Sequence, residues 1–234
     1  MGEAISDRQV VKVLRPFVRA ANPVLGAMRS PGRLGRLAGL GIPGTPAWDA
    51  MDVDARTDWW IHRVGRVTAL ATSVPGLGGA LADRLPVQDA LGASAQGLLL
   101  CAIAGEHGVD DVGERVRLIG WVLFGRDIDP VLAAAEDPDE AEDARTEQLA
   151  GEFTQPAKQA RRMSFKAVAG TLWRMGRSLL AITGELEKRP RGRFYQRAFG
   201  MLPVVGMAGD YLAERSALIR VAKRSRRWLS AART

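Results

Sequence analysis

Six apolar residues, Val168, Leu172, Met175, Leu179, Ile182 and Leu186, recur at steps of 4, 3, 4, 3 and 4. Those steps return to one face of an α-helix, so the spacing predicts a long helix near residues 157–187 with that face turned to a core. Arg161, Arg162, Lys166, Arg174 and Arg177 flank the stripe. Val and Ile elsewhere also fall mostly at helical spacings, which leaves few segments fit to be strands. The expected fold is therefore all-α: a single domain of about seven to nine helices. At 234 residues and 47% hydrophobic content, the chain can bury a substantial core.

The rest of the chain divides in the same way. Ser6 and Asp7 can cap a helix over residues 7–21, with Asn22-Pro23 ending it. Val10, Val11, Leu14 and Val18 mark its apolar face, and Arg8, Lys12, Arg15 and Arg19 its polar one. Asp52 or Asp54 can cap a helix over residues 53–74, and Pro75 and Pro86 divide a short helix from a longer one over 87–105. "GEHGVDD" reads as a turn, Asp110 or Asp111 as the cap of a helix reaching Phe124-Gly125, and "DIDPVLAAAE" as a short helix. The organisation is a basic helix and loop over 1–46, central helices over 47–135, a solvated acidic linker over 136–150 and basic helices over 151–234.

The net charge of +7 is unevenly spread. Residues 1–46 carry +5, 47–105 carry −2, 106–150 carry −9 and 151–234 carry +13. Basic ends around an acidic middle mean either internal neutralisation or a basic face turned toward a polyanion. One cysteine, Cys101, permits no internal disulfide and fits an intracellular protein. No uncharged apolar run reaches 18 residues, so a conventional spanning helix is not expected.

The stretch "TSVPGLGGALADRLPVQDALGASAQGLLLCAIAG", residues 72–105, lacks the lysine and the strand–turn–helix context of a phosphate loop. Glycine costs a helix about 1 kcal/mol relative to alanine, so its repetition here points to closely approaching backbones. A shorter echo follows in "MLPVVGMAGD". Pro75, Gly76, Gly78 and Gly79 in the first stretch, and Pro203 and Gly206 in the second, are expected to shape a central Gly/Pro-interrupted helix pair.

Residues 67–125 resemble the central region of the EcsC family through Gly76, Gly78, Gly108, Asp110 and Gly125. The segment "FGMLPVVGMAGDYLAERSALIRVAKRSRRWL" resembles that family's closing helix through Leu202, Pro203, Val204, Val205 and Gly206. The two stretches cover about 90 residues, and His107 and Gly209-Asp210 depart from the pattern. The resemblance implies an all-helical cytoplasmic protein, often membrane-associated. It carries over no catalytic residue.

Two histidines and one cysteine leave little room for metal or nucleophilic chemistry. Cys101 and His107 lie six apart, off a shared helical face, and neither His62 nor His107 has zinc-ligand spacing around it. No metal, cofactor or catalytic residue is expected. Trp59, Trp60, Trp173 and Trp228 sit near arginines, a pairing suited either to a core or to a membrane interface. The expected function is non-catalytic: docking on an anionic membrane or a membrane complex, peripheral to the inner membrane. Arg189, Arg191, Arg193, Arg197, Lys223, Arg224, Arg226 and Arg227 would supply the charge and Trp228 an anchor. No base-reading row is present, so specific nucleic-acid binding is not expected, whereas a homo-oligomer is compatible with the pattern. Two alternatives are a soluble scaffold using the 168–186 stripe or the acidic linker, and a hydrolase-type enzyme working through Asp83, Asp89 and Asp210.

Overall fold

A computed structural model describes residues 6–29, 43, 45–72, 87–134, 139–154, 165–187 and 206–231. Among them the chain forms nine α-helices, one short 3-10 turn and no strand. The helices are α1 (Asp7–Arg29), α2 (Pro46–Asp49), α3 (Val53–Thr72), α4 (Val87–Glu106), α5 (Val112–Phe124), α6 (Pro130–Ala134), α7 (Glu140–Ala150), α8 (Phe165–Glu187) and α9 (Gly206–Ala231). The all-α expectation holds.

α4 is the axis of the fold. Between Asp89 and Glu106 its sequence carries no charge, and residues from Leu98 to Ala104 are all buried. A helix apolar on every side must be surrounded, and α4 touches α1, α3, α5, α8 and α9. The stripe on α8 supplies much of that cover, with Leu172, Met175, Leu179 and Ile182 buried. Among the described residues those four side chains face the core and not solvent.

Close glycine packing occurs within the expected stretch 72–105, at Gly97, and outside it, at Gly176. A methyl group on Gly176 of α8 would overlap the backbone carbonyl of Ala90 in α4. A Cβ on Gly97 of α4 would lie 2.5 Å from the Phe17 ring of α1. Helices can approach this closely only where one presents a bare Cα. Pro75, Gly76, Gly78, Gly79 and Pro203 lie outside the described residues, and Gly206 begins α9.

Two segments correct the sequence reading. α1 does not stop at Asn22-Pro23 but runs to Arg29 with Pro16 and Pro23 inside it. An internal proline costs a helix about 3 kcal/mol, yet Phe17, Val24, Leu25 and Met28 extend the buried face past both prolines. Continuous burial thus outweighs the lost backbone bonds. The second correction is the acidic linker. Residues from Glu140 to Ala150 form α7, whose Asp139 cap accepts the Glu142 amide at 2.7 Å.

α7 is held by charge more than by apolar contact, since Ala150 is its one buried residue. Glu142 accepts from Arg15 Nε at 2.9 Å and from Arg19 at 3.1 Å, while Asp143 takes the other arm of Arg19 at 2.7 Å. Arg15, expected on a polar surface, is only 7% exposed and also donates to the carbonyls of Ala133 and Ala134. Burial alone would lower the Arg19 pKa, but the hydrogen bonds to Asp143 and Glu142 outweigh it and raise it.

Candidate anion-binding surface

The turn between α4 and α5 is built around a second buried arginine. Arg115 donates to the Val109 carbonyl, to Asn22 Oδ1 and to Asp110 Oδ1, at 2.8, 2.7 and 2.8 Å. Gly108 takes the left-handed conformation, with φ +74°, and Asp111 caps α5 by accepting the Glu114 amide. Gly125 closes α5 in the left-handed region as well, with φ +63°. Gly108, Asp110 and Gly125 therefore have structural roles.

The tryptophans and arginines fall into two groups. Trp48, Trp59 and Trp60 stack edge to face, with centroids 5.1 and 5.0 Å apart. Arg56, Arg63 and Arg29 lie over Trp48, Trp59 and Trp60. Glu106 gathers this cluster from beneath by accepting from Trp60 Nε1 at 3.0 Å and pairing with Arg29 and Arg56. Trp48 and Trp60 are buried, so this cluster belongs to the core.

The second group lies between α5 and α9. Arg117 of α5 covers Trp228 of α9 at 5.7 Å, and Arg224 of α9 covers Trp121 of α5 at 5.5 Å. The two helices thus exchange a tryptophan for an arginine in each direction. Trp228 is only 9% exposed, which corrects its reading as a surface anchor. Half-buried Trp121 stands beside the basic residues instead. Its signal in the sequence is its spacing from Glu114 and Arg117, which puts it on the outward face of α5.

α9 sorts its side chains cleanly. Leu218, Val221, Ala222, Ser225, Trp228 and Leu229 are buried toward the core. Ser216, Arg220, Lys223, Arg224 and Arg227 are exposed, at the i, i+4, i+7, i+8 and i+11 spacing of one helical face. Residues 216–231 contain five basic side chains and no acidic one. Arg226 stands apart, half-buried and paired with Asp54 of α3 at 3.0 Å. Arg189, Arg191, Arg193 and Arg197 lie outside the described residues.

Chemistry elsewhere is sparse. Cys101 is buried, and burial pushes its thiol up to about 12, far from the reactive thiolate range. Asp89 is exposed in the first turn of α4, where partial desolvation raises its carboxyl pKa. Asp83 and the Asp210 side chain lie outside the described residues. Among the described residues no group of His, Cys, Asp and Glu is placed to hold a metal ion, and no helix is long and apolar enough to cross a membrane.

Comparison of the chain with protein families, curated proteins and solved structures finds no match.

Proposed function

We propose that the protein is a non-catalytic helical body that docks reversibly on an anionic membrane surface through the outer face of α9, from the cytoplasmic side of the inner membrane. One observation carries this reading: Arg220, Lys223, Arg224 and Arg227 share one exposed face on a segment with no acidic residue. A basic side chain close to anionic lipid contributes about 1 kcal/mol, so four of them give weak, salt-sensitive attachment. Trp121, half-buried beside Arg224, adds an indole suited to headgroup depth. The resemblance of residues 67–125 to the EcsC family, often membrane-associated, supports the same reading.

Co-sedimentation with vesicles tests it. Binding to anionic but not neutral vesicles, with release as salt rises from 50 to 500 mM, is the expected outcome on the order of the Debye screening change. Equal binding to neutral vesicles, or none to either, contradicts it.

A further inference from the structure

Arg63 of α3 is the exception among the sheltered arginines. Every other buried or half-buried arginine among the described residues pairs with a carboxylate, except Arg174, which donates from two of its nitrogens to Gln148 and Thr171. Half-buried Arg63 donates once, from Nε to the Met28 carbonyl at the end of α1, at 3.1 Å. That bond and the Trp59 ring, whose centroid lies 5.7 Å from the guanidinium carbon, hold the group in place. Its terminal nitrogens have no hydrogen-bond partner among the described residues. Unlike the Nε of Arg56 and of Arg226, they are not closed off from solvent.

Arg66 lies three residues on, at a neighbouring position of the helix surface, exposed and without an ion pair among the described residues. Partial burial first, and the Arg66 charge second, push the Arg63 pKa down. No described carboxylate answers this pair. Glu106 is engaged by Trp60, Arg29 and Arg56, Asp54 by Arg226, and Asp58 stands on the flank of α3 that faces α9. Two guanidinium groups one helical turn apart, one of them already fixed, make a fork for an oxyanion. A carboxylate would answer one of the two charges. A phosphate monoester carries close to two charges near neutral pH and has three acceptor oxygens, so it answers both.

We propose that Arg63 and Arg66 bind a phosphate monoester group. The terminal nitrogens of Arg63 donate to two of its oxygens, and Arg66 donates to the third. The site is built by α3 and the end of α1, so it does not rest on the docking of α9. A soluble ester and a lipid with a phosphomonoester headgroup present the same chemistry.

Methyl phosphate, titrated into the full chain at constant ionic strength and followed by NMR, tests the site. The wild type should show amide shifts confined to residues 59–67, with a dissociation constant of about 1 mM, the worth of two charge-assisted hydrogen bonds. Dimethyl phosphate, a diester with one charge, should bind at least about tenfold more weakly. Arg66→Gln should weaken methyl phosphate binding by about tenfold. Arg66→Glu should abolish it, because it puts a carboxylate three residues from Arg63, the spacing at which Glu114 pairs with Arg117. Arg66 is exposed, so neither change opens the core. No localised shift in the wild type, or an unchanged shift in Arg66→Glu, would overturn the site. Equal binding of the diester would overturn its assignment to a monoester. Vesicles of phosphatidic acid and of phosphatidylglycerol, at matched surface potential, then separate the sources. A preference for phosphatidic acid that Arg66→Glu removes assigns the lipid, and equal binding to both beside intact methyl phosphate binding assigns the soluble ester. Binding to neither vesicle would end the docking reading and leave the site standing on the methyl phosphate result.

Discussion

α7 and α9 are both charged surface helices, and they dispose of their charge in opposite ways. Glu142 and Asp143 of α7 are turned inward onto Arg15 and Arg19, so the helix is bound by its own charges. α9 is bound by Leu218, Val221, Trp228 and Leu229, and of its exposed basic residues Arg224 adds a contact over Trp121 of α5. Where charge holds a helix in place, removing it costs stability. Where apolar burial already does so, the charge remains available to a partner. The segment 106–150, with its net −9, thus neutralises part of the amino-terminal helix, and among the described residues it forms no ion pair with α9.

The largest test of this contrast is Glu142→Ala. It leaves Arg15, 7% exposed, with carbonyl acceptors but no counter-charge. Breaking a buried pair from one side costs about 3 kcal/mol, visible as a lower urea midpoint. The double change Arg15→Met with Glu142→Leu should recover most of that loss, because it removes the uncompensated charge as well. A Glu142→Ala protein as stable as the wild type would mean that α7 is held by something other than its charges.

Asp139→Ala comes next. It removes the acceptor of the Glu142 amide at the start of α7 and should cost about 1 kcal/mol in the same unfolding assay. Asp54→Asn, on the α9 side, is the smallest. Its pair with Arg226 joins side chains 71% and 40% exposed, so the expected change is under about 0.5 kcal/mol. A loss from Asp54→Asn as large as that from Glu142→Ala would erase the distinction between the two helices.

How much of this was legible beforehand follows from the range of the forces involved. The stripe on α8 and the caps at Asp52 and Asp111 depend on neighbours within a few residues, and both appear where spacing put them. The sequence predicts a shorter α1 because its prolines are local signals, while the burial that overrides them comes from α4, α5 and α7. The acidic segment has the local pattern of a linker because Arg15 and Arg19, which hold it, lie more than 120 residues away. The site divides similarly. Lys223, Arg224 and Arg227 could be placed on a basic face by spacing alone, whereas Trp228, expected as the anchor, is buried and half-buried Trp121 lies beside Arg224. Which tryptophan is covered depends on how α5 meets α9, and no local pattern records that. Gly97 lies in the stretch 72–105 whose glycines point to close packing, whereas no local pattern records the approach of Gly176 to the Ala90 carbonyl.

The most direct measurement combines Arg220→Gln, Lys223→Gln, Arg224→Gln and Arg227→Gln in one protein and titrates it with anionic vesicles beside the wild type. The account predicts vesicle binding weaker by at least about tenfold, from the loss of roughly 1 kcal/mol per basic side chain, with stability lowered only by the lost Arg224–Trp121 contact, about 0.5–1 kcal/mol. Undiminished binding by this folded variant would contradict the account, because the outer face of α9 would then not be the docking surface.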